Sequence, residues 1–188
     1  MGMPKTIFYF VRHGQTDRNT KGVLPDGLDD PLNEVGKMQA LETAQNVPAI
    51  IDVAVSSPLS RAVETRTIIC DSLDCKILIE EPDERLREVN FGALKSKTWD
   101  EAEAIQPGED IKEIYRTQQY DFSSHGGESF ESVKQRIYSF IEDMKAKHSG
   151  KCILVATHAG IIRCIYKAER DYAFPDAPDN ASVHVFEF

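Results

Sequence analysis

Short apolar runs alternate along the chain with longer segments in which apolar residues recur every three or four positions. The runs are rich in β-branched and aromatic residues and cover positions 6–11, 51–55, 76–80 and 151–156. Continuous apolar runs of this length are typical of strands buried on both faces of a sheet. Segment 182–188 alternates apolar and polar residues instead, which predicts a last strand with one exposed face.

The segments between these runs carry helical periodicity. Helices are predicted over residues 34–46, 60–72 and 161–167, with a long helix that begins near Glu128 and two short acidic helices that follow Lys97. Asn33 is suited to cap the first of them. The apolar face of that helix is expected at four positions with helical spacing: Val35, Met38, Leu41 and Ala44. The second helix is expected to face inward through Ala62, Thr65, Ile68 and Ile69.

Strands that alternate with helices predict an α/β fold. We expect one domain over residues 1–188, a three-layer sandwich whose mostly parallel central sheet is flanked by helices. In open sheets of this class, ligands bind beyond the carboxyl ends of the strands. That rule selects the polar segments 12–16, 57–61 and 157–160, each of which directly follows an apolar run.

The side chains in these segments are suited to a phosphate group. A phosphate monoester carries about two negative charges near neutral pH. Arginine binds such a group with a planar fork that does not lose its proton, and Arg12 and Arg61 both follow predicted strands. His13 and His158 occupy equivalent positions, and Asn19 adds a neutral donor.

Composition and charge narrow the classes of protein. The net charge of −9 argues against broad electrostatic binding of nucleic acid. No apolar run approaches the roughly 20 residues that span a membrane. The four cysteines lack C-x-x-C spacing and no secretion signal opens the chain, so a reducing, cytoplasmic location is expected. Met1-Gly2 with Thr6 fits an N-myristoylation pattern, although residues added ahead of Met3 explain it better.

Four motifs, in order and over essentially the whole chain, resemble those of the histidine phosphatase superfamily, also called phosphoglycerate mutase-like. The first is Val-Arg-His-Gly-Gln-Thr at 11–16, continuing to Asn19. The second is Ser-Ser-Pro-Leu-Ser-Arg-Ala at 56–62, and the third is Leu-Arg-Glu at 86–88 with Phe91-Gly92. The fourth is Val-Ala-Thr-His-Ala-Gly at 155–160. Each motif alone is a weak signal, but their combination is specific.

The resemblance implies roles for these residues. It implies that His13 becomes a transient phosphohistidine and that Glu88 acts first as an acid and then as a base. The residues expected to contact phosphate are Arg12, Asn19, Arg61, His158, Ala159, Gln15 and Thr16. The implied partners are a small phosphomonoester and inorganic phosphate, with no metal and no organic cofactor. A homodimer is compatible with the family.

The resemblance leaves the fate of the phosphoryl group open. Glycolytic mutases of the family carry an inserted lid and a C-terminal tail, whereas this chain ends at Phe188 directly after its predicted last strand, so a phosphatase is favoured. Residues 91–94 (Phe-Gly-Ala-Leu) are closer to the mutase pattern. The alternatives are a phosphoglycerate mutase-type transferase, a phosphatase of phosphohistidine proteins and a non-catalytic phosphate-binding protein. Candidate substrates are sugar phosphates, phosphoglycerates and nucleotide-related phosphates.

Overall fold

The computed structural model describes residues 4–25, 27 and 30–188, so Gly2 and its acylation pattern lie outside the described residues. The described strands form one five-stranded sheet with the order β3-β2-β4-β1-β5. Their bounds are β1 Ile7–Arg12, β2 Val53–Ser56, β3 Leu78–Ile79, β4 Cys152–Thr157 and β5 Val183–Glu187. The first four strands run parallel, and β5 pairs antiparallel with β1 at the edge. The predicted fold class is confirmed.

Helices cover both faces of this sheet. Their bounds are α1 Glu34–Ala44, α2 Ser60–Asp71, α3 Trp99–Ile105, α4 Ile111–Arg116, α5 Phe130–Lys147 and α6 Ala159–Arg170. Helix α1 packs against α2, and α5 packs against α6. Single turns of 3₁₀ helix lie at Asn19–Lys21, Glu84–Leu86, Gly92–Leu94 and Ser123–His125.

The alternation of β1 divides the core into two clusters. Phe8 and Phe10 point to one face, where they join the larger cluster with side chains of α5 and α6. Val11 points to the other face and joins the smaller cluster, which lies under α1 and α2. Successive side chains of a strand point to opposite faces, so one short apolar run contributes to both layers.

The expected apolar face of α1 is wrong at three of its four positions. Val35, Met38 and Leu41 are about half exposed, at 52%, 58% and 47%, and Ala44 is buried as expected. The inward face of α1 instead carries the small residues Gly36, Ala40 and Thr43 with Ala44. The physical reason is close packing of backbone, because a Cβ at Gly36 would lie 2.1 Å from the carbonyl oxygen of Gln15.

Several helix and strand boundaries in the structure also differ from the predicted ones. Helix α6 begins at Ala159 and extends to Arg170, both beyond the predicted 161–167. Strand β3 shrinks to Leu78–Ile79 at the sheet edge, where both side chains are exposed. Ile68 in α2 is only partly buried, whereas Ala62, Thr65 and Ile69 are buried as expected. The Asn33 cap is confirmed, since its side chain accepts a 2.9 Å hydrogen bond from the Gly36 N–H.

The contact at Gly36 makes a direct prediction for stability. Gly36→Ala should lower the free energy of unfolding by about 1–3 kcal/mol, because the new methyl group meets backbone that has no room to move. Glu42→Ala, on the exposed face of the same helix, should change it by no more than about 0.5 kcal/mol. Urea denaturation of both variants measures this difference. Equal stability of Gly36→Ala and the unchanged protein would contradict the close packing.

Candidate active site

Three strand ends meet at one edge of the sheet. Because β4 lies between β1 and β2, the segments that follow these strands are neighbours in space. They border a cavity of about 210 Å³. Six of the nine residues expected from the sequence to act or bind there line it: Arg12, His13, Asn19, Arg61, Glu88 and Ala159.

His13 is buried, and hydrogen bonds hold both of its ring nitrogens. Nδ1 lies 2.7 Å from the carbonyl oxygen of Gly14, so it carries the proton and donates. Nε2 accepts from the Arg61 Nε–H at 3.2 Å. Burial, with added repulsion from Arg61 and Arg12, holds the pKa of His13 well below its usual value of 6.5, although the Gly14 carbonyl opposes this. The ring is therefore neutral, with an unprotonated Nε2 surrounded by cations.

His158 lies directly beside His13. The two ring centroids are 5.1 Å apart and the rings are inclined at 61°. His158 Nε2 lies 2.8 Å from the Ser57 hydroxyl oxygen, and its buried Nδ1 has no hydrogen-bond partner within the described parts of the chain. Burial, followed by the charge of Arg61 and by His13, holds the pKa of His158 well below 6.5. This second neutral imidazole is fully buried.

Two guanidinium groups face the same cavity. Arg61 lies in the first turn of α2, where the positive end of the helix dipole also favours an anion. Arg12 ends β1, and its Nη1 donates to the carbonyl oxygen of Pro178. Burial lowers the pKa of Arg12, while the nearby carboxylate of Glu88 raises it. Two cations that border one cavity are suited to a dianionic ligand.

Glu88 lies across the cavity, at the beginning of α6. Its Oε1 accepts from the Val89 N–H at 2.9 Å and from the Gly160 N–H at 3.1 Å. Oε2 has only a 3.3 Å contact with the same Gly160 N–H. A Cβ at position 160 would lie 2.2 Å from Glu88 Oε1, so a larger residue there would displace the carboxylate from this position.

Gln15 and Thr16 do not line the cavity. The Gln15 side-chain oxygen accepts from Asn33 Nδ2 at 3.0 Å, which joins the loop to the start of α1. The Thr16 N–H donates to Asn19 Oδ1 at 3.1 Å, and Thr16 itself is buried. Their side chains complete the loop, whereas Asn19 reaches the cavity itself.

This geometry accompanies a sequence match over nearly the whole chain. The sequence model of the histidine phosphatase superfamily, branch 1, matches residues 8–188. The chain belongs to this superfamily.

Relatives of this chain include proteins named as phosphatases and proteins named as mutases. A metal-independent phosphoserine phosphatase of Arabidopsis thaliana is 34% identical over 182 residues, which cover 96% of this chain and 75% of the relative. A 2,3-bisphosphoglycerate-dependent phosphoglycerate mutase of Parvibaculum lavamentivorans is 32% identical over 167 residues, covering 85% and 77%. Among solved structures, a mycobacterial glucosyl-3-phosphoglycerate phosphatase in complex with VO3 superposes with a TM-score of 0.80 at 25% identity, covering 95% of this chain and 90% of that one.

Arg136 and Glu128 also lie at the site, although the sequence did not indicate either of them as a site residue. Arg136 pairs with Glu128 at 2.8 Å and donates to the carbonyl oxygens of Arg85 and Glu88. Glu128 in turn accepts from the Asn90 N–H at 2.9 Å. The pair therefore holds the backbone on both sides of Glu88. In the sequence, Glu128 only marks the start of the predicted long helix. The fold brings it to this loop.

Asn180 was also missed as a site residue. Its Nδ2 donates to the carbonyl oxygen of His13 at 3.1 Å and to Asn19 Oδ1 at 3.3 Å. It lies in the irregular segment before β5, where nothing in the spacing marks it. The segment nevertheless closes over the first loop of the site.

Over residues 4–25, 27 and 30–188, no three side chains of His, Cys, Asp and Glu are grouped as ligands for a metal ion. No helix in that same part of the chain has the length and apolar character needed to cross a bilayer.

The protonation of His13 is directly measurable. At pH 6.5, ¹⁵N NMR of the histidine-labelled, ligand-free protein should show His13 as the neutral tautomer with the proton on Nδ1. Because the pKa is depressed, this form should persist as the pH falls through 6.5, where an ordinary histidine is half protonated. The exposed imidazole of a histidine peptide supplies the reference titration. An imidazolium signal for His13 at pH 6.5 would contradict the account.

Proposed function

We propose that this chain hydrolyses small phosphomonoesters through a phosphohistidine formed on Nε2 of His13, and that it needs neither a metal nor an organic cofactor. One observation carries this proposal. His13 donates through Nδ1 to the Gly14 carbonyl, which leaves Nε2 unprotonated between Arg61 and Arg12. A neutral, oriented imidazole among fixed cations is the state that a nucleophile toward phosphorus requires.

In the first step, Nε2 of His13 attacks phosphorus and the bond between phosphorus and the ester oxygen breaks. Arg12, Arg61, His158 and Asn19 stabilise the charge on the oxygens of the transferring group. Protonated Glu88 gives its proton to the departing alkoxide. Oε2 is the natural carrier of that proton, since Oε1 accepts the shorter backbone hydrogen bonds.

In the second step, the Glu88 carboxylate takes a proton from water as the water oxygen attacks the phosphohistidine. The bond between nitrogen and phosphorus breaks, inorganic phosphate leaves and His13 returns to its neutral form. The hold of Arg136 and Glu128 on the backbone beside Glu88 supports this double role. An acid that later serves as a base must stay in one place through both steps.

Hydrolysis is favoured over transfer within a retained substrate. A mutase must hold a bisphosphate intermediate, whose second phosphate adds about two negative charges that cations around the cavity must balance. Segment 99–124, which supplies Trp99 and Tyr115 to the cavity wall, contains seven Asp and Glu residues but only two Lys and Arg residues. The similarity to a phosphoserine phosphatase and to a glucosyl-3-phosphoglycerate phosphatase supports the same choice.

Phosphate release in excess EDTA, measured on alkyl and aryl phosphate esters without added bisphosphate, tests this function. Turnover should continue under chelation, and His13→Ala should abolish it. In a single turnover, Glu88→Gln should slow alcohol release from alkyl phosphates by about 10²–10⁴-fold and release of the aryl oxide far less, because an aryl oxide leaves without a proton. Equal losses of this first-turnover release on both esters would contradict the role of Glu88 as the acid. The absence of phosphate release from every ester would contradict the hydrolase itself.

A further inference from the structure

A second cavity of about 230 Å³ opens beside the first. Trp99, Tyr115, Ala159 and Ala177 border both cavities, so the hollow that begins at His13 continues past Ala159. Arg163, one helical turn beyond Ala159 on α6, lies in the wall of this second cavity. We call the space lined by Lys112, Tyr115, Ala159, Arg163 and Asp176 the Arg163 pocket.

Among the residues that the structure describes, Arg163 is a buried cation without an anionic partner. Its side chain belongs to a residue only 6% exposed, and within the described parts of the chain its Nε has no hydrogen-bond partner and its guanidinium forms no ion pair. The guanidinium carbon of Arg163 lies over the ring of Tyr115, 5.3 Å from the ring centroid. Burying a charge without a partner is costly, and an aromatic face returns only part of that cost. An anion that enters the pocket would remove this penalty.

Arg163 also lies close to the phosphate-binding groups. Burial lowers the pKa of Arg12, and the charge of Arg163 is near enough to lower it further. Burial raises the pKa of the Tyr115 hydroxyl, on which Glu88, Arg163 and Arg12 all act. Because the two cavities also share four wall residues, a single small molecule can extend from His13 toward Arg163.

The charges around the pocket select the kind of anion. Three cations, Lys112, Arg116 and Arg163, are opposed by Asp176 in the wall and by Glu113, which pairs with Arg116 at 2.5 Å. The remaining excess is one positive charge, which matches a carboxylate better than a dianionic phosphate. The planar fork of arginine is suited to bind both oxygens of a carboxylate.

We infer that the Arg163 pocket binds a carboxylate of the substrate while the phosphate of the same molecule lies at His13. This inference rests on the proposed function and makes it more specific. The preferred substrates are then small phosphomonoesters that carry a carboxylate a few bonds from the ester oxygen. Arg163 acts as a specificity residue for them.

Two esters that differ only by a carboxylate test this inference, O-phosphoserine and O-phosphoethanolamine. Wild type should have the larger kcat/KM on O-phosphoserine. Arg163→Gln should lower the ratio of the two kcat/KM values about tenfold or more, because it removes a charged hydrogen-bonding partner. Arg163→Lys should retain part of the ratio. Arg170→Gln, the same substitution on the same helix but outside both cavities, should leave the ratio unchanged. Equal losses on both esters, or an unchanged ratio, would overturn the role of Arg163.

Binding separates failure of the pocket from failure of the proposed function. Calorimetry on His13→Ala, with and without Arg163→Gln, measures affinity for both esters without turnover. If wild type releases phosphate from neither of these two esters, the pocket is judged on these affinities alone, and the wider set of alkyl and aryl esters decides the hydrolase proposal. Tighter binding of O-phosphoserine that disappears with Arg163→Gln supports the pocket. Equal affinity for the two esters in His13→Ala overturns it. Thermal unfolding of each variant establishes that it is folded.

Discussion

The hydrogen bond between His13 Nδ1 and the Gly14 carbonyl is the constraint on which the site depends. It fixes which ring nitrogen carries the proton and turns the other toward the cavity. Burial and the neighbouring arginines then keep the ring neutral. The backbone that supplies the Gly14 carbonyl is itself held against α1, because Gly14 and Gly36 bring two stretches of backbone into direct contact. The chemistry of one imidazole is thus linked to the packing of a helix on its loop.

The rest of the site is arranged around this imidazole from distant parts of the chain. Arg61 comes from the start of α2, while Glu88 comes from an irregular segment that Arg136 and Glu128 secure. The hollow then continues to Arg163, a buried cation with no anionic partner among residues 4–25, 27 and 30–188, and we infer that a ligand completes this part of the site. In this arrangement the segments that follow β1 and β2 would bind the phosphate group. Helix α6 would bind the remainder of the substrate at the same edge of the sheet.

The sequence was informative where chemistry follows directly from local order. Buried strands that end in polar residues predicted the sheet and the edge at which Arg12, His13 and Arg61 meet, and the fold bears this out. The prediction for α1 was wrong. Large apolar residues were expected to face inward, whereas the backbone contact at Gly36 leaves room only for small ones. The sequence could not identify Arg136 and Asn180 as site residues. Their partners at the site, the carbonyl groups of Glu88 and His13, lie 48 and 167 positions away along the chain.

Trapping the phosphohistidine on His13 shows whether the covalent intermediate forms during turnover. The protein would be mixed with a phosphomonoester in excess EDTA and quenched in alkali, in which phosphohistidine survives, before peptide mapping by mass spectrometry. We expect one phosphoryl group on His13, which accumulates in Glu88→Gln during turnover of an aryl phosphate, because that variant lacks the base for the hydrolytic step. Turnover that leaves His13 unmodified in both proteins, or a phosphoryl group on another residue, would contradict it.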